Sequence, residues 1–145
     1  EQIKEHSFTR EYEAVVYGNV KQDSGTINAP IGRHPVKRKQ MAVTSTASRN
    51  AVTHYEVIER FGDFTHLKLR LETGRTHQIR VHMKYIGYPL VGDPVYGVRK
   101  IIGENGQFLH AKKLEFKHPR TNEFLSFESE LPEDFKCLLN ELRNK

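Results

Sequence analysis

Residues 71–97 read LETGRTHQIRVHMKYIGYPLVGDPVYG, and the fold turns on the first twelve of them, Leu71 to His82. Leu67, Leu69 and Leu71 alternate with Lys68, Arg70 and Glu72, so residues 64–72 (FTHLKLRLE) predict a strand. Gly74 permits a sharp turn, and residues 76–86 (THQIRVHMKYI), lying between Gly74 and Gly87, predict a short helix. At about 100° per residue, Ile79, His82, Met83 and Ile86 share one side of that helix. His77, Arg80 and Lys84 share the other. Ile79 and Met83 would therefore anchor it, while Arg80 faces a cleft or solvent.

Outward from this junction the pattern is again of strands. Residues 9–20 (TREYEAVVYGNV) place Tyr12, Ala14 and Val16 opposite Glu11 and Glu13. Residues 51–60 (AVTHYEVIER) put Tyr55 and Val57 on one face. Phe61-Gly62-Asp63-Phe64 then predicts a hairpin turn into the strand at 64–72. Residues 109–117 and 123–128 form another pair, with Leu114 and Phe116 on one face and Leu125 and Phe127 on one face. Residues 133–144 (EDFKCLLNELRN) follow Pro132 with acids in the first turn and Arg143 in the last, a helix matched to its dipole. Segments 20–50 and 87–107, rich in Gly, Pro and Ser, are expected to be loops. The fold class is α/β of the α+β kind: a mixed, largely antiparallel sheet with a few helices.

The chain has 145 residues, 37% apolar, enough for one domain or a large piece of one with a real core. Lys and Arg number 23 against 18 Asp and Glu, a net +5 with a pI near 9.4, which suits a polyanionic partner or simply a basic soluble domain. No apolar run approaches the ~20 residues of a membrane span, and no signal peptide is visible at Glu1-Gln2-Ile3-Lys4-Glu5. The missing initial Met suggests a fragment or a processed chain. A single cysteine, Cys137, excludes an internal disulfide and points to a reducing, cytoplasmic setting. Its apolar neighbours predict a buried thiol.

Three segments could carry chemistry. At the strand–helix junction, His77, Arg80 and Lys84 form a basic face that lines a cleft or is merely solvated. His77 and His82 are five apart, roughly 140° around a helix, whereas a zinc-clamping pair wants a spacing of four, so no metal site is expected. The loop Arg33-His34-Pro35-Val36-Lys37-Arg38-Lys39-Gln40 carries four cations within seven residues. It either approaches a phosphate backbone or is a solvated surface. Pro89 to Gly97 is a rigid Gly/Pro turn in which Asp93 is expected to bond its own backbone rather than act as a catalytic carboxylate.

Together these residues resemble the RluA/RluD family of RNA pseudouridine synthases. Residues 71–97 are similar to its late motif, with support from Arg10-Glu11-Tyr12-Glu13-Ala14 and Gly18, Arg33-His34-Pro35 with Lys37-Arg38, Ala51-Val52-Thr53-His54-Tyr55, and Leu109-His110-Ala111. The likeness is nearest to the RluD-like branch, which acts on large-subunit ribosomal RNA. It implies that residues 1–145 are the C-terminal portion of the catalytic domain, an incomplete pseudouridine synthase fold. It also implies isomerisation of uridine to pseudouridine with no cofactor. The family's H-R-L-D-x-x-[TS]-S-G motif is absent from residues 1–145. The catalytic Asp is thus expected in a missing N-terminal half, the fragment alone is expected to be inactive, and Arg80 is expected to lack its partner. By resemblance, Tyr12 is the active-site tyrosine that packs on the target base and Arg80 the arginine that pairs with the catalytic Asp. Arg33, His34, Lys37, Arg38, Arg75 and His77 are the expected RNA contacts. A non-catalytic RNA-binding module is the alternative reading.

Overall fold

The computed structural model describes residues 8–97, 107–117, 120, 121 and 123–144. Strand β1 (Phe8–Tyr17) is central. It pairs with β6 (Phe64–Leu71) on one side and β7 (Leu109–Lys117) on the other, both antiparallel. The sheet extends through β5 (Val52–Arg60) to β2 (Ser24–Asn28) at one edge and to β8 (Phe124–Glu128) at the other. Its order is β2-β5-β6-β1-β7-β8, and each described pairing is antiparallel. A second, two-stranded sheet joins β3 (Ile31–Arg33) to β4 (Met41–Val43). Two helices complete the chain, α1 (Gln78–Tyr85) and α2 (Glu133–Arg143). The α+β class stands, with the expected strands and helices in place to within a few residues.

The expected 20–50 loop is corrected: it contains β2, β3 and β4. Each is at most five residues long, too short for alternation to stand out among Gly, Pro and Ser. Segment 87–97 is irregular as expected, and residues 98–106 of the expected loop lie outside the described residues, as do 118, 119 and 122 of the link between β7 and β8.

Both faces of the sheet are covered, and β1 shows why. Tyr12, Ala14 and Val16 face α1, where Leu67, Leu69 and Leu71 of β6 meet Ile79 and Met83. The side carrying Val15 faces α2, packed against Phe135, Leu138, Leu139 and Leu142. Alternation alone predicts that Glu11 and Glu13 face solvent, yet Glu13 is mostly buried and pairs with His66 Nε2 at 2.8 Å. Phe135, Leu138, Leu139 and Leu142 lie on one stripe of α2, each burial worth about 1.5–3 kcal/mol. Cys137, about 200° from Phe135 around the helix, is exposed. The expectation of a buried thiol is corrected: apolar neighbours in sequence are not neighbours on a helix face.

A third small core joins Ile31 and Ala51 to Val81 of α1 and to Tyr96, with Met41 and Val43 against it. It fastens the β3–β4 hairpin to the start of α1, the region where the charged segments converge.

Candidate active site and basic groove

The junction between β6 and α1 is organised by Gln78. Its Oε1 accepts from Thr73 Oγ1 (2.6 Å) and the Arg75 amide (3.0 Å), while its Nε2 donates to Val52 O and Thr53 Oγ1, both at 2.9 Å. Buried at 3% exposure, it satisfies every polar atom it has. One turn on, His82 is wholly buried. Its Nε2 donates to Ala29 O (2.9 Å), leaving Nδ1 to accept from Thr53 Oγ1 (2.8 Å). Burial lowers its pKa against the smaller opposing effect of the Ala29 carbonyl, so the ring is a neutral structural strut. His77, just before α1, adopts a left-handed backbone with φ of 55°, a conformation histidine takes more readily than most residues. Gly74 brings the Arg10 guanidinium against the backbone: a Cβ there would lie 2.5 Å from Arg10 Nη2.

Arg80 is held from two sides. Its Nε donates to Asp93 Oδ2 (2.9 Å) and its Nη2 to Asp93 Oδ1 (3.0 Å), a fork-to-fork pair. Its guanidinium also lies over the Tyr96 ring, 5.0 Å from the centroid. Asp93 bonds its own turn as expected, since Oδ1 accepts the amides of Val95 and Tyr96, each at 3.0 Å. Burial alone would raise its carboxyl pKa, but the Arg80 bonds and then the two amides outweigh burial and hold it below the ordinary value. The expectation that Arg80 lacks a partner is therefore corrected: Asp93 occupies its Nε–Nη2 edge. The two residues are 13 apart in sequence, a tertiary contact that no local spacing announces. Among the described residues Nη1 of Arg80 has no hydrogen-bond partner.

Arg80 lines a pocket of about 270 Å³, shared with Arg10, Tyr12, Arg75, His77 and Leu109. Tyr12 is half-buried on β1, packed against the α1-side core. The structure thus gathers Tyr12, Arg75, His77 and Arg80 around one cavity. A second cavity of about 670 Å³ adjoins it through Gly74 and Arg75, and is lined by Arg33, Arg38, Lys39 and Arg49. Arg75 stands between the two, its Nε donating to Asn50 O at 2.7 Å. The remaining expected contacts lie apart. His34 Nδ1 is consumed by its own turn, accepting the amides of Val36 (3.1 Å) and Lys37 (2.9 Å), and Lys37 lines neither cavity. Sequence reading passed over Arg49, which stands outside any charge run, and Tyr96, whose hydroxyl function is visible only in three dimensions.

A model of the RNA pseudouridylate synthase family matches residues 1–85. The chain belongs to the RNA pseudouridylate synthase family. Among related synthases, the uncharacterized RNA pseudouridine synthase YlyB of Bacillus subtilis is 58% identical over 142 residues, 98% of this chain and 46% of that protein. The ribosomal large subunit pseudouridine synthase D of Pseudomonas aeruginosa is 52% identical over 155 residues, 98% of this chain and 48% of that one. The chain spans about half the length of the curated relatives it matches. Of solved structures, human RNA pseudouridylate synthase domain containing 1 superposes with a TM-score of 0.77 at 26% identity, over 98% of this chain and 68% of its own. The pseudouridylate synthase likeness therefore covers both the sheet and the helix that bears Arg80.

Proposed function

We propose that this chain supplies the arginine-bearing half of an enzyme that isomerises uridine to pseudouridine in RNA, with large-subunit ribosomal RNA as the substrate class. The observation that carries this reading is the fixed Arg80 at the wall of a pocket shared with Tyr12. The reaction breaks the bond from C1′ to N1, turns the base, joins C1′ to C5, and moves the C5 proton to solvent while N1 gains one. It needs a carboxylate nucleophile, a surface for the extruded base and a dry pocket. Tyr12 offers the stacking surface. Asp93 is unsuited to attack, because its carboxylate is fully buried and both oxygens are engaged by Arg80 and two amides. The family's Asp motif is absent from residues 1–145, and by that resemblance the nucleophile is assigned to another segment of the protein. The Nη1 side of Arg80 is the edge left to bind it, which would keep that second carboxylate ionised and oriented.

Arg33, Arg38, Arg75, Lys39 and Arg49 are assigned to phosphates flanking the extruded base, with the groove leading into the pocket through Gly74 and Arg75. The name of the Pseudomonas relative supports ribosomal RNA. The test is release of tritium from C5 of uridine in ribosomal RNA by the full-length protein and by residues 1–145 alone. Release is expected from the first only. RNA binding without release from the full-length protein would favour a non-catalytic RNA-binding module.

A further inference from the structure

Tyr96 is 2% exposed, so its hydroxyl must find its partners within the protein. It accepts the Met41 amide at 2.9 Å and lies 2.8 Å from His77 Nδ1. The hydroxyl has one proton to give, and Nδ1 is the acceptor the described residues offer it. His77 therefore carries its own proton on Nε2. The Tyr96 ring is packed behind His77, edge-on at 5.5 Å between centroids, so Nε2 lies on the side of the imidazole away from it. His77 lines the Arg80 pocket, and among the described residues its Nε2 has no hydrogen-bond partner. Burial, then the nearby Arg80 charge, lower the His77 pKa against the opposing pull of Asp93, in keeping with a neutral donor.

We propose that His77 reads the extruded base, with Tyr96 as the positioning residue that fixes the imidazole so that Nε2–H is offered to a uracil carbonyl. This rests on the isomerase reading above. Uracil has carbonyl acceptors at positions 2 and 4, whereas cytosine replaces the second with an amino donor. A donor facing position 4 would leave that amino group unpaired against another N–H, the kind of mismatch that polar sites reject strongly. The same hydroxyl also ties this ring to Met41, at the loop end of the β3–β4 hairpin.

The test uses the full-length protein and tritium release from large-subunit ribosomal RNA transcripts made with uridine, 2-thiouridine or 4-thiouridine, sulfur being a poor acceptor. His77→Gly removes the ring without strain, since glycine takes positive φ freely. Tyr96→Phe keeps the ring beneath Arg80 and removes only the hydroxyl. One of the two thio substitutions is expected to slow the wild type about fivefold more than it slows either variant, the scale of one hydrogen bond. Each protein is compared with its own rate on unmodified RNA, so damage to folding or to RNA structure divides out. The sensitive position identifies the carbonyl. Nitrogen-15 side-chain spectra should place the single His77 proton on Nε2 in the wild type and show it exchanging between the two neutral tautomers in Tyr96→Phe.

Equal slowing of wild type and His77→Gly by both thio RNAs overturns base reading while leaving the isomerase intact. A Tyr96→Phe protein with wild-type thio sensitivity and an unchanged His77 spectrum overturns the positioning role. Absence of tritium release from the wild type on unmodified RNA overturns the isomerase reading, and this inference with it.

Discussion

Arg80 and Asp93 make the most consequential pair of side chains in the molecule, because each is nearly or wholly removed from water. Taking away one member of such a pair leaves a buried charge, at a cost of roughly 3–5 kcal/mol. Asp93→Ala also strips the acceptor from the Val95 and Tyr96 amides. The expected result is a urea midpoint well below wild type and, in the full-length protein used for every turnover measurement, activity falling further than residual folding explains. Arg80→Lys is expected to be far from conservative. A lysine cannot satisfy Asp93 through two parallel bonds while keeping a second edge for another carboxylate. Turnover should collapse with RNA affinity changed much less; near-normal turnover would remove Arg80 from the chemistry. At Tyr12, stacking is worth about 1–3 kcal/mol per base. Tyr12→Phe should hold RNA as the wild type does and Tyr12→Leu should bind more weakly. Equal affinity for the two variants would end the stacking assignment. Residue types at this scale were readable in the sequence, since helical periodicity turned Arg80 away from the core, toward a cleft or solvent, and it lines the cavity. What periodicity could not supply was the identity of the partner, because Asp93 meets Arg80 through the path of the chain between them.

Among the elements, two glycines separate site geometry from fold. A Cβ at Gly74 would meet the far end of the Arg10 side chain, which can swing away. At Gly97 it would meet the backbone carbonyl of Asp93, inside the turn that holds Arg80. Gly97→Ala is therefore expected to lower both stability and turnover, whereas Gly74→Ala should leave the melting temperature close to wild type and disturb RNA affinity through Arg10. Thermal melts of the two variants side by side decide it. The basic hairpin invites a salt titration. Ala at Arg38, Lys39 and Arg49 should flatten the salt dependence of RNA binding by roughly 0.7 in slope per lost contact with single-stranded RNA; an unchanged slope would make the groove a solvated surface. The longer strands were legible because each places at least two apolar residues at alternate positions, β6 most clearly with Leu67, Leu69 and Leu71. β3 and β4 escaped because three residues cannot show a period, and their pairing depends on Tyr96 and Val81 arriving from elsewhere in the chain.

At the level of the whole molecule, the sheet is clothed on both sides, and two histidines are sealed within it. His82 lies at the α1 face. His66 lies at the α2 face against Phe135, with Glu13, Glu59 and Arg143 around it. Burial lowers the pKa of both from 6.5, outweighing the Glu13 hydrogen bond in the case of His66. The unfolded chain thus binds more protons than the native one once pH drops below 6.5, and stability must fall with it. Asp93 acts with the same sign further down, since its depressed pKa contributes stability above 3.8 that is lost in acid. Urea midpoints should be level near about pH 7.5 and lower near about pH 5.5. A midpoint higher near about pH 5.5 than near about pH 7.5 would contradict the neutral, buried state of both rings. Alternation in β1 predicted one wet face here, and the second helix made it dry, a fact that belongs to the assembled layers rather than to any one strand. That same helix leaves Cys137 on its outer side, across the sheet from Tyr12 and Arg80. Within this chain a maleimide dye would find a single thiol, so a fluorophore placed there reports on tumbling and RNA capture while leaving the pocket untouched.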